Sequence, residues 1–292
     1  MTTDLKLSGH TTPYAVLGHP IGHTLSPVMH NASIRALGLD AIYLAFDVHP
    51  DHLLGVLPAM REMGFGGVNL TVPLKEVAFN GLGDLDVSAQ RLGAVNTVEF
   101  LDDGGLRGHN TDGDGFLRAT REAFGDSVAG KAVFVLGTGG AGRAVALSCA
   151  AEGAGALVLS DVDGERSERL ATEIRDGHAA CPVAVVAGAP ADWTEACRAA
   201  DMVVQCTPVG MKPGDVSLLS SEAFRAGQSV FDLIYMYPET PFMSEARAAG
   251  ATVSNGLAML LYQGASAFTI WTGQEPAVDA MRRALESAVY GD

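Results

Sequence analysis

Two groups of residues in this 292-residue chain have types and spacings that could do chemistry. The first is the glycine pattern G-x-G-x-x-G at Gly137–Gly142, which is followed, after a helical segment and a second apolar run, by Asp161. This arrangement predicts a dinucleotide site. The second is Lys75, which comes shortly after the polar residues Asn69 and Thr71. Most such lysines are solvated surface residues, but a position past the carboxyl end of a strand, beside two polar groups, favours a ligand site.

Each residue of the glycine pattern has a mechanical use in dinucleotide binding. Gly137 permits the tight turn, Gly139 lets the backbone approach a pyrophosphate, and Gly142 allows a helix to pack closely on a strand. The helix start offers free N–H groups and the positive end of its dipole to the phosphates. The carboxylate of Asp161 can accept hydrogen bonds from both hydroxyls of the adenosine ribose. An ordinary glycine turn is the alternative, but strand, helix, second strand and aspartate occur in register, which favours the dinucleotide site.

Short apolar runs alternate with helical segments around the glycine pattern. Val133–Leu136 is short, rich in β-branched residues and stopped by glycine, as a buried parallel strand would be. Further predicted strands lie at 156–160, 183–186, 201–205, 229–234 and 251–253, with helices at 143–151, 165–175, 192–199 and 241–249. Such alternation predicts a doubly wound parallel sheet whose ligands bind at the carboxyl ends of the strands.

The amino-terminal part of the chain predicts another α/β unit. Its predicted strands lie at 14–18, 41–46, 66–72, 92–100 and 106–108, with helices at 28–37, 53–63, from Lys75 onward, and 116–124. Ser26, just before Pro27, is either a helix N-cap or a hydroxyl that contacts a ligand. The polar cluster at 109–115 is either a loop with an aspartate cap or a polar site that leads into a helix.

The carboxyl-terminal part predicts two helices, at 257–272 and 277–290. Apolar residues recur at helical spacing on the first of them, and Gln263 lies among them. A polar residue on such a stripe is most often an amide satisfied in the core, although it could also face a cleft.

Composition and charge narrow the possible functions. Hydrophobic residues make up 48% of the chain and charged residues 18%, as in a soluble globular protein. A net charge of −15 argues against binding to nucleic acid or to an anionic membrane, because both need basic faces. The segment Met1–Lys6 carries no signal-peptide core, and no apolar run approaches the roughly 18 residues of a membrane span. We therefore expect a cytoplasmic protein.

The spacing of cysteines and histidines indicates no metal site. The cysteines at 149, 181, 197 and 206 show no C-x-x-C pairing and no zinc-ligand spacing, so free thiols in a reducing compartment are expected. His49 and His52 flank Asp51, but the sequence offers no third ligand near them, and a surface turn is the favoured interpretation. No metal is expected.

Five polar segments together make the chain resemble the shikimate dehydrogenase family, which includes quinate/shikimate dehydrogenases. The segments are Asn69-Leu70-Thr71-Val72-Pro73-Leu74-Lys75, Gly93-Ala94-Val95-Asn96-Thr97, Gly108-His109-Asn110-Thr111-Asp112-Gly113, Thr24-Leu25-Ser26-Pro27 and Met259-Leu260…Gln263-Gly264-Ala265. Their order and spacing match the family over nearly the whole chain, and several motifs in order are far more specific than a glycine loop alone.

The resemblance implies a fold with three parts and a reaction. The parts are an N-terminal α/β substrate domain at 1–113, a Rossmann domain with a doubly wound parallel sheet at 114–254, and C-terminal helices at 255–292 that pack back on the first domain. The family reduces the ring ketone of 3-dehydroshikimate reversibly with a nicotinamide cofactor. Hydride delivery to a ketone develops negative charge on oxygen, which needs a proton donor within about 3 Å. Lys75 could give that proton, and Asp112 could hold its ammonium group in place.

The resemblance also implies roles for individual residues. Lys75 and Asp112 would be the catalytic pair. The residues around the substrate would be Thr24, Ser26, Asn69, Thr71, Asn96, Tyr235 and Gln263. The residues lining the cofactor would be Gly137, Thr138, Gly139, Gly140, Ala141, Gly142, Asp161, Thr207, Leu233 and Gly256. Thr24 and Ser26 would bind the substrate carboxylate by neutral hydrogen bonds, so no arginine is required there.

Three positions depart from the family pattern. Thr24 stands where the family motif begins with serine, and Gln205-Cys206-Thr207 replaces the usual Asn-Ala-Thr near the nicotinamide. Ser160-Asp161-Val162 replaces the Asn-Arg-Thr that many NADP-using members carry. The last change puts an anion where a 2′-phosphate needs a cation, so NAD is the expected cofactor.

The leading prediction is therefore an NAD-preferring shikimate or quinate/shikimate dehydrogenase that acts on a small molecule as a monomer or a homodimer. One alternative is an NADP-dependent biosynthetic shikimate dehydrogenase in which Arg166 reaches the phosphate. Another, from a different class, is a nucleotide-sensing regulator without turnover. The presence of both Lys75 and Asp112 disfavours the regulator, because a sensor needs no proton-transfer pair.

Overall fold

A computed structural model describes residues 7–291, which divide into two compact units. Residues 7–111 and 263–291 belong to the first unit, and residues 112–262 belong to the second. The division falls inside the helix that begins at Leu257, whereas the sequence places a boundary before that helix. The segment Met1–Lys6, for which no signal sequence is predicted, lies outside the described residues, as does Asp292.

The described residues form strands and helices that alternate along most of the chain. The strands are β1 (Thr12–Gly18), β2 (Ala41–Asp47), β3 (Gly67–Leu70), β4 (Asp84–Leu85), β5 (Thr97–Phe100), β6 (Leu106–His109), β7 (Ala132–Leu136), β8 (Ala156–Ser160), β9 (Val183–Val185), β10 (Met202–Gln205), β11 (Ser229–Asp232) and β12 (Thr252–Asn255). The helices are α1 (Ser26–Leu37), α2 (Leu53–Glu62), α3 (Leu74–Gly81), α4 (Val87–Leu92), α5 (Asp112–Phe124), α6 (Gly140–Ala151), α7 (Gly164–Gly177), α8 (Pro190–Ala199), α9 (Pro241–Ala248), α10 (Leu257–Thr272) and α11 (Val278–Tyr290).

The sheet of the first unit is mixed, with strand order β2-β1-β3-β5-β6-β4. Strand β1 runs parallel to β2 and β3, whereas β5 runs antiparallel to both β3 and β6. Strands β3 and β6 therefore point the same way, and the segments that follow them leave the sheet at the same edge. Leu17, Leu57 and Leu74 are buried in the core under this sheet.

The carboxyl-terminal residues of the first unit pack on its sheet and on α1. The indole N–H of Trp271 donates to the carbonyl oxygen of Val98 at 3.0 Å, and a side-chain carbon on Gly67 would collide with the Trp271 ring. The backbone N–H of Ala277 donates to the hydroxyl of Ser33 on α1 at 2.9 Å. These contacts place the end of α10 and the start of α11 within the first unit.

The sheet of the second unit is entirely parallel, with strand order β12-β11-β10-β7-β8-β9. This is the doubly wound order, in which the direction of winding reverses between β7 and β10. Phe134, Val203 and Val230 on the central strands are fully buried, because helices cover both faces of such a sheet. The predicted doubly wound parallel sheet is confirmed.

Several element boundaries differ from those that the sequence pattern predicts. Helix α5 begins at Asp112 and not at residue 116, because Asp112 and Asp114 lie in its first turn, where carboxylates are favourable. Strand β4 and helix α4 are not predicted at all. Helix α4 spans only Val87–Leu92, and the Asp86 carboxylate starts it by accepting a hydrogen bond from the N–H of Ser88 at 2.8 Å.

Within residues 7–291 there is no helix that could span a membrane and no cluster of metal-ligating side chains. Every helix in that range falls short of the length or the hydropathy that a membrane span requires. No group of three or more His, Cys, Asp or Glu side chains within the same range is arranged to hold a metal ion, and the four cysteines are free.

Candidate functional site

The glycine pattern forms the turn between β7 and α6. Gly139 occupies the cap position of α6, and the helix begins at Gly140. A side-chain carbon on Gly142 would collide with the carbonyl oxygen of Gly137, so only glycine allows α6 to start this close to the end of β7. The N–H groups of the first turn have no intrahelical partner, and among the described residues no side chain caps them. A phosphate group would satisfy them.

Asp161 follows β8 and is hydrogen-bonded to the glycine turn. Its Oδ2 atom accepts from the backbone N–H of Thr138 at 2.6 Å, and its Oδ1 atom accepts from the N–H of Asp163 at 3.0 Å. Burial alone would raise the pKa of Asp161, but the N–H groups of Asp163 and Thr138 outweigh burial and hold the pKa below its usual 3.8. The carboxylate is therefore charged at neutral pH, although only 8% of the side chain is exposed.

Arg166, in the first turn of α7, places a cation next to this carboxylate. Its Nη1 atom lies 3.7 Å from Asp161 Oδ2, and its Nη2 atom lies 3.2 Å from Asp163 Oδ2. The same Nη1 atom lies 4.0 Å from the position that a side-chain carbon on Gly139 would take. The Arg166 side chain is 47% exposed, so its guanidinium lies at the surface beside the turn. The glycine turn thus has both a buried anion and a half-exposed cation beside it.

Gln205 and Asp232 are buried polar residues that hold the loops after β10 and β11. The sequence pattern predicts neither of them as a site residue. The Gln205 amide donates to the carbonyl oxygen of Thr207 at 3.2 Å and lies 3.4 Å from Asp232 Oδ1. Asp232 also accepts from the N–H of Ile234 at 3.0 Å and from the hydroxyl of Thr240 at 2.6 Å. Burial raises the pKa of Asp232 to about 6. These bonds fix two loops at the carboxyl edge of the second sheet.

The loops carry the remaining residues that the family resemblance assigns to the second unit. A side-chain carbon on Gly137 would come within 2.9 Å of the Thr207 methyl group, so the loop after β10 lies close against the glycine turn. A side-chain carbon on Gly256 would collide with the carbonyl oxygen of Leu233, so these two residues pack backbone to backbone. Tyr235 follows in the same loop as Leu233, and burial raises its pKa. The second unit thus brings the predicted cofactor residues to one edge of its sheet.

Lys75 lies half-buried in the first turn of α3, just after β3. Its carbonyl oxygen accepts a hydrogen bond from the N–H of Val95 at 3.0 Å. The next residue, Asn96, accepts through Oδ1 from the N–H of Thr111 at 2.9 Å, and Asp112 follows as the first residue of α5. The segment at 95–96 therefore connects the turn that carries Lys75 with the chain that leads to Asp112.

A chain of buried polar side chains crosses the first sheet. The hydroxyl of Tyr43 donates to Asn69 Oδ1 at 2.7 Å. The Asn69 amide donates to the carbonyl oxygen of Asn96 and to the hydroxyl of Thr97, both at 3.0 Å. The Thr97 hydroxyl donates in turn to Asn96 Oδ1 at 2.9 Å. All four residues are at most 5% exposed, and both asparagines of the predicted substrate set are therefore fixed in orientation.

Ser26 is the first residue of α1 and not its cap. Leu25 occupies the cap position, and no described side chain makes a cap hydrogen bond there. The N-cap interpretation of Ser26 is therefore wrong, because the chain enters the helix earlier than Pro27 predicts. Ser26 is buried, and the hydroxyl of Thr24 donates to it at 3.3 Å, so two hydroxyls lie side by side at the start of α1.

Thr71 and Gln263 are the other members of the predicted substrate set in the first unit. Thr71 follows β3, and its N–H donates to the carbonyl oxygen of Leu17 at 2.9 Å. Gln263 is half-buried on α10, next to Gly264, where the helix packs on His30 of α1. Both residues thus adjoin the elements that carry Ser26 and Asn69.

His30 and Tyr43 form a buried aromatic pair that sequence reasoning did not select. Their rings stack with centroids 4.2 Å apart and planes 7° from parallel. Neither ring nitrogen of His30 has a hydrogen-bond partner among the described residues, and burial lowers the pKa of His30 to about 3. One signal was available in the sequence, since His30 comes one helical turn after Ser26 and lies on the same face of α1.

Two family models match the chain. The model described as the shikimate dehydrogenase substrate binding domain matches residues 16–98. The model described as the shikimate 5′-dehydrogenase C-terminal domain matches residues 256–286.

Individual proteins match over nearly the full length. Shikimate dehydrogenase (NADP(+)) from Moorella thermoacetica is 45% identical over 286 residues, which cover 98% of this chain and 96% of that protein. The structure of shikimate 5-dehydrogenase from Listeria monocytogenes in complex with shikimate and NAD matches with a TM-score of 0.89 and 35% identity over 96% of this chain and 98% of that one. The structure of quinate dehydrogenase from Corynebacterium glutamicum in complex with NAD has a TM-score of 0.87 and 31% identity, over 95% of this chain and 99% of that one.

Proposed function

The chain belongs to the shikimate dehydrogenase family and is a nicotinamide-dependent oxidoreductase, and from this premise we propose that it interconverts shikimate and 3-dehydroshikimate with NAD as the preferred cofactor. The observation that carries the cofactor preference is the charged carboxylate of Asp161, bound to Thr138 in the glycine turn at 2.6 Å. The test is formation of reduced cofactor with shikimate or quinate, each combined with NAD or NADP. Absence of turnover with shikimate and either cofactor would overturn the proposal.

The residues of the chain handle the proton in this reaction. When bound, the nicotinamide ring supplies or accepts the hydride. Lys75 donates a proton to the ketone oxygen as negative charge develops there, and it takes the proton back from the alcohol in the oxidative direction. Asp112 orients the ammonium group of Lys75. The fixed turn between β3 and α3 holds the backbone of Lys75 in place through its bond to Val95.

Neutral hydrogen bonds suit the substrate, a small carboxylate with several hydroxyls. We assign the carboxylate to the adjacent hydroxyls of Thr24 and Ser26, which are 3.3 Å apart. Charge-assisted hydrogen bonds from hydroxyls to a carboxylate are stronger than neutral pairs, so no buried arginine is needed. The ring hydroxyls and the remaining polar edge of the substrate are assigned to Asn69, Thr71, Asn96, Tyr235 and Gln263.

Ser26→Ala is expected to weaken shikimate binding and to leave cofactor binding nearly unchanged. Losing one hydroxyl that bonds a charged group costs about 1.5–3 kcal/mol, which should appear as a higher KM for shikimate. Steady-state kinetics and thermal unfolding of the same variant check this. Ser33→Ala is the matched control on the same helix, because Ser33 bonds the backbone of Ala277 and should affect stability alone. A lower melting temperature with unchanged kinetics in Ser26→Ala would contradict the assignment.

The cofactor preference follows from the charge beside the ribose. In NAD, the Asp161 carboxylate can accept hydrogen bonds from both ribose hydroxyls. In NADP, a 2′-phosphate replaces one hydroxyl, and two anions then lie a few ångströms apart. At about 4 Å and an effective dielectric constant of about 20, two unit charges repel by about 4 kcal/mol. Arg166, 3.7 Å from Asp161, offsets part of this repulsion. We expect NAD to be preferred by roughly 10- to 1000-fold in kcat/KM.

Replacing Asp161 by alanine should remove most of this preference, as judged by kcat/KM with each cofactor. Asp163→Ala is the matched control, since Asp163 also pairs with Arg166, at 3.2 Å, but lies two residues beyond Asp161 and is not assigned to the ribose. Arg166→Ala should strengthen the preference for NAD. A wild type that prefers NADP, or an unchanged preference in Asp161→Ala, would show that Asp161 does not discriminate and would favour the NADP-dependent alternative through Arg166.

The likeness to quinate dehydrogenase, at 31% identity over 95% of the chain, supports quinate as a second substrate. Quinate carries the same carboxylate and ring hydroxyls, so the same residues are proposed to bind it. We also propose a cytoplasmic location, because four free cysteines fit a reducing compartment.

A further inference from the structure

Tyr43 connects two elements that carry proposed substrate residues. It is the third residue of β2, and 1% of its surface is exposed. Its hydroxyl donates to Asn69 on β3 at 2.7 Å. The Asn31 side chain on α1 holds both its backbone N–H and its backbone carbonyl, at 2.9 and 2.8 Å. The ring also stacks on His30 of the same helix, so α1 contacts Tyr43 through its backbone and its side chain.

The hydrogen-bond directions in this cluster are fixed by chemistry. The carbonyl oxygen of Asn96 can only accept, so the atom of Asn69 that faces it must be the amide nitrogen. The second N–H of Asn69 goes to the hydroxyl of Thr97. Asn69 Oδ1 therefore points to Tyr43 and accepts its proton. Both N–H groups of Asn69 are used, and a lone pair on Oδ1 is what Asn69 retains for a ligand.

We propose that Tyr43 is a positioning residue for substrate specificity: the Asn96 carbonyl sets which way the Asn69 amide faces, and the Tyr43 hydroxyl holds Asn69 Oδ1 in place so that its remaining lone pair selects a hydroxyl of the substrate. Tyr43 also ties β3 to the helix that carries Ser26. This inference rests on the proposed function. The group that binds Asn69 Oδ1 is a donor, a ring hydroxyl of the substrate, because an oxygen that can only accept a hydrogen bond repels a carboxylate. The stacked His30 keeps the Tyr43 ring in the plane that this bond requires.

Tyr43→Phe tests the proposal with the smallest change. The variant keeps the ring, the stack on His30 and the backbone bonds to Asn31, and it loses the hydroxyl that donates to Asn69 and that also has a side-chain hydrogen bond with Ser26. Asn69 Oδ1 is then buried without a donor, and the amide is held only by its bonds to Asn96 and Thr97. We expect the KM for shikimate to rise about tenfold, with kcat changed less than about threefold and the KM for the cofactor unchanged.

Tyr14→Phe is the matched control. Tyr14 lies directly opposite Tyr43 on β1, and its ring stacks on Trp271, but it has no part in the Asn69 cluster. Its kinetics should match those of the wild type. A rise in the KM for shikimate in Tyr43→Phe but not in Tyr14→Phe supports the proposal, and equal KM values in Tyr43→Phe and the wild type overturn it.

A second variant decides the matter if Tyr43→Phe does not fold. Thr97→Val removes another partner of the Asn69 side chain, the hydroxyl at 3.0 Å that also donates to Asn96 Oδ1, while keeping the shape. It should raise the KM for shikimate in the same direction, and an unchanged KM would overturn the proposal. If the wild type does not turn over shikimate, the proposed function fails. If it does, but the variants have the same KM for shikimate as the wild type, only the role of Tyr43 is rejected.

Discussion

Replacing Lys75 by alanine is expected to lower kcat for shikimate by about 100-fold or more, while the KM values for shikimate and cofactor change much less. The proton that Lys75 gives is needed as charge develops on the ketone oxygen, and a group that acts mainly in the transition state contributes to kcat more than to binding. The hydrogen bond that fixes this turn, from the N–H of Val95 to the carbonyl of Lys75, uses main-chain atoms and survives the substitution. The remaining machinery should therefore stay in place.

Three measurements separate a catalytic role from a general effect of losing a lysine. Lys131→Ala removes an ammonium that pairs with Asp126 at 3.0 Å, and it should leave kcat unchanged. A small primary amine added to Lys75→Ala should restore part of the lost turnover. Asp112→Asn should also lower kcat, and the double variant should be little worse than Lys75→Ala, because the two residues act as one unit. Near wild-type turnover in Lys75→Ala would contradict the assignment of Lys75 as the proton donor.

The second unit could be predicted from the sequence almost completely, because local pattern and tertiary role coincide there. Buried parallel strands read as short apolar runs, and the turn after β7 needs glycine at the position that nearly touches the Gly137 carbonyl. The end of β11 is one exception. The apolar pattern continues to Ile234, but the strand stops at Asp232, whose carboxylate accepts from the N–H of Ile234 at 3.0 Å. A side chain that bonds its own backbone ends a strand without any change in hydropathy.

The first unit shows what periodicity alone misses. The pattern places His30 on a helix and Tyr43 on a strand, but their stacking depends on how α1 packs against β2, which no local rule states. The same holds for Asn69, whose partners come from β2 and β5. Short elements fail for another reason. Helix α4 has only six residues, too few to show a helical period, so its aspartate cap is the chief signal.

His30→Phe is expected to protect the first unit against acid. Burial lowers the pKa of His30 to about 3, whereas an unfolded histidine titrates near about 6.5. Between these values the unfolded chain binds a proton that the folded chain does not, so stability falls as pH decreases from about 6.5 to about 3. The full loss is about 5 kcal/mol, and about 3 kcal/mol of it should be lost between pH 7.5 and pH 4.5. Phenylalanine keeps the stack on Tyr43 and has no ring nitrogen that could bind a proton.

Unfolding by urea at the two pH values measures this difference. In a Trp193→Phe background the remaining tryptophan is Trp271. Its ring centroid lies 5.7 Å from that of His30, so its fluorescence reports on the first unit. All other groups that titrate in acid are present in both proteins. The change with pH in the difference between their free energies of unfolding therefore reports on His30. At pH 7.5 the variant should be at least as stable as the wild type, because neither ring nitrogen of His30 has a partner among the described residues. His10→Gln, at an exposed position, should follow the wild type at both pH values. Equal losses in the His30→Phe variant and the wild type on going to pH 4.5 would mean that the folded protein accepts a proton at His30, and the buried, neutral imidazole would have to be abandoned.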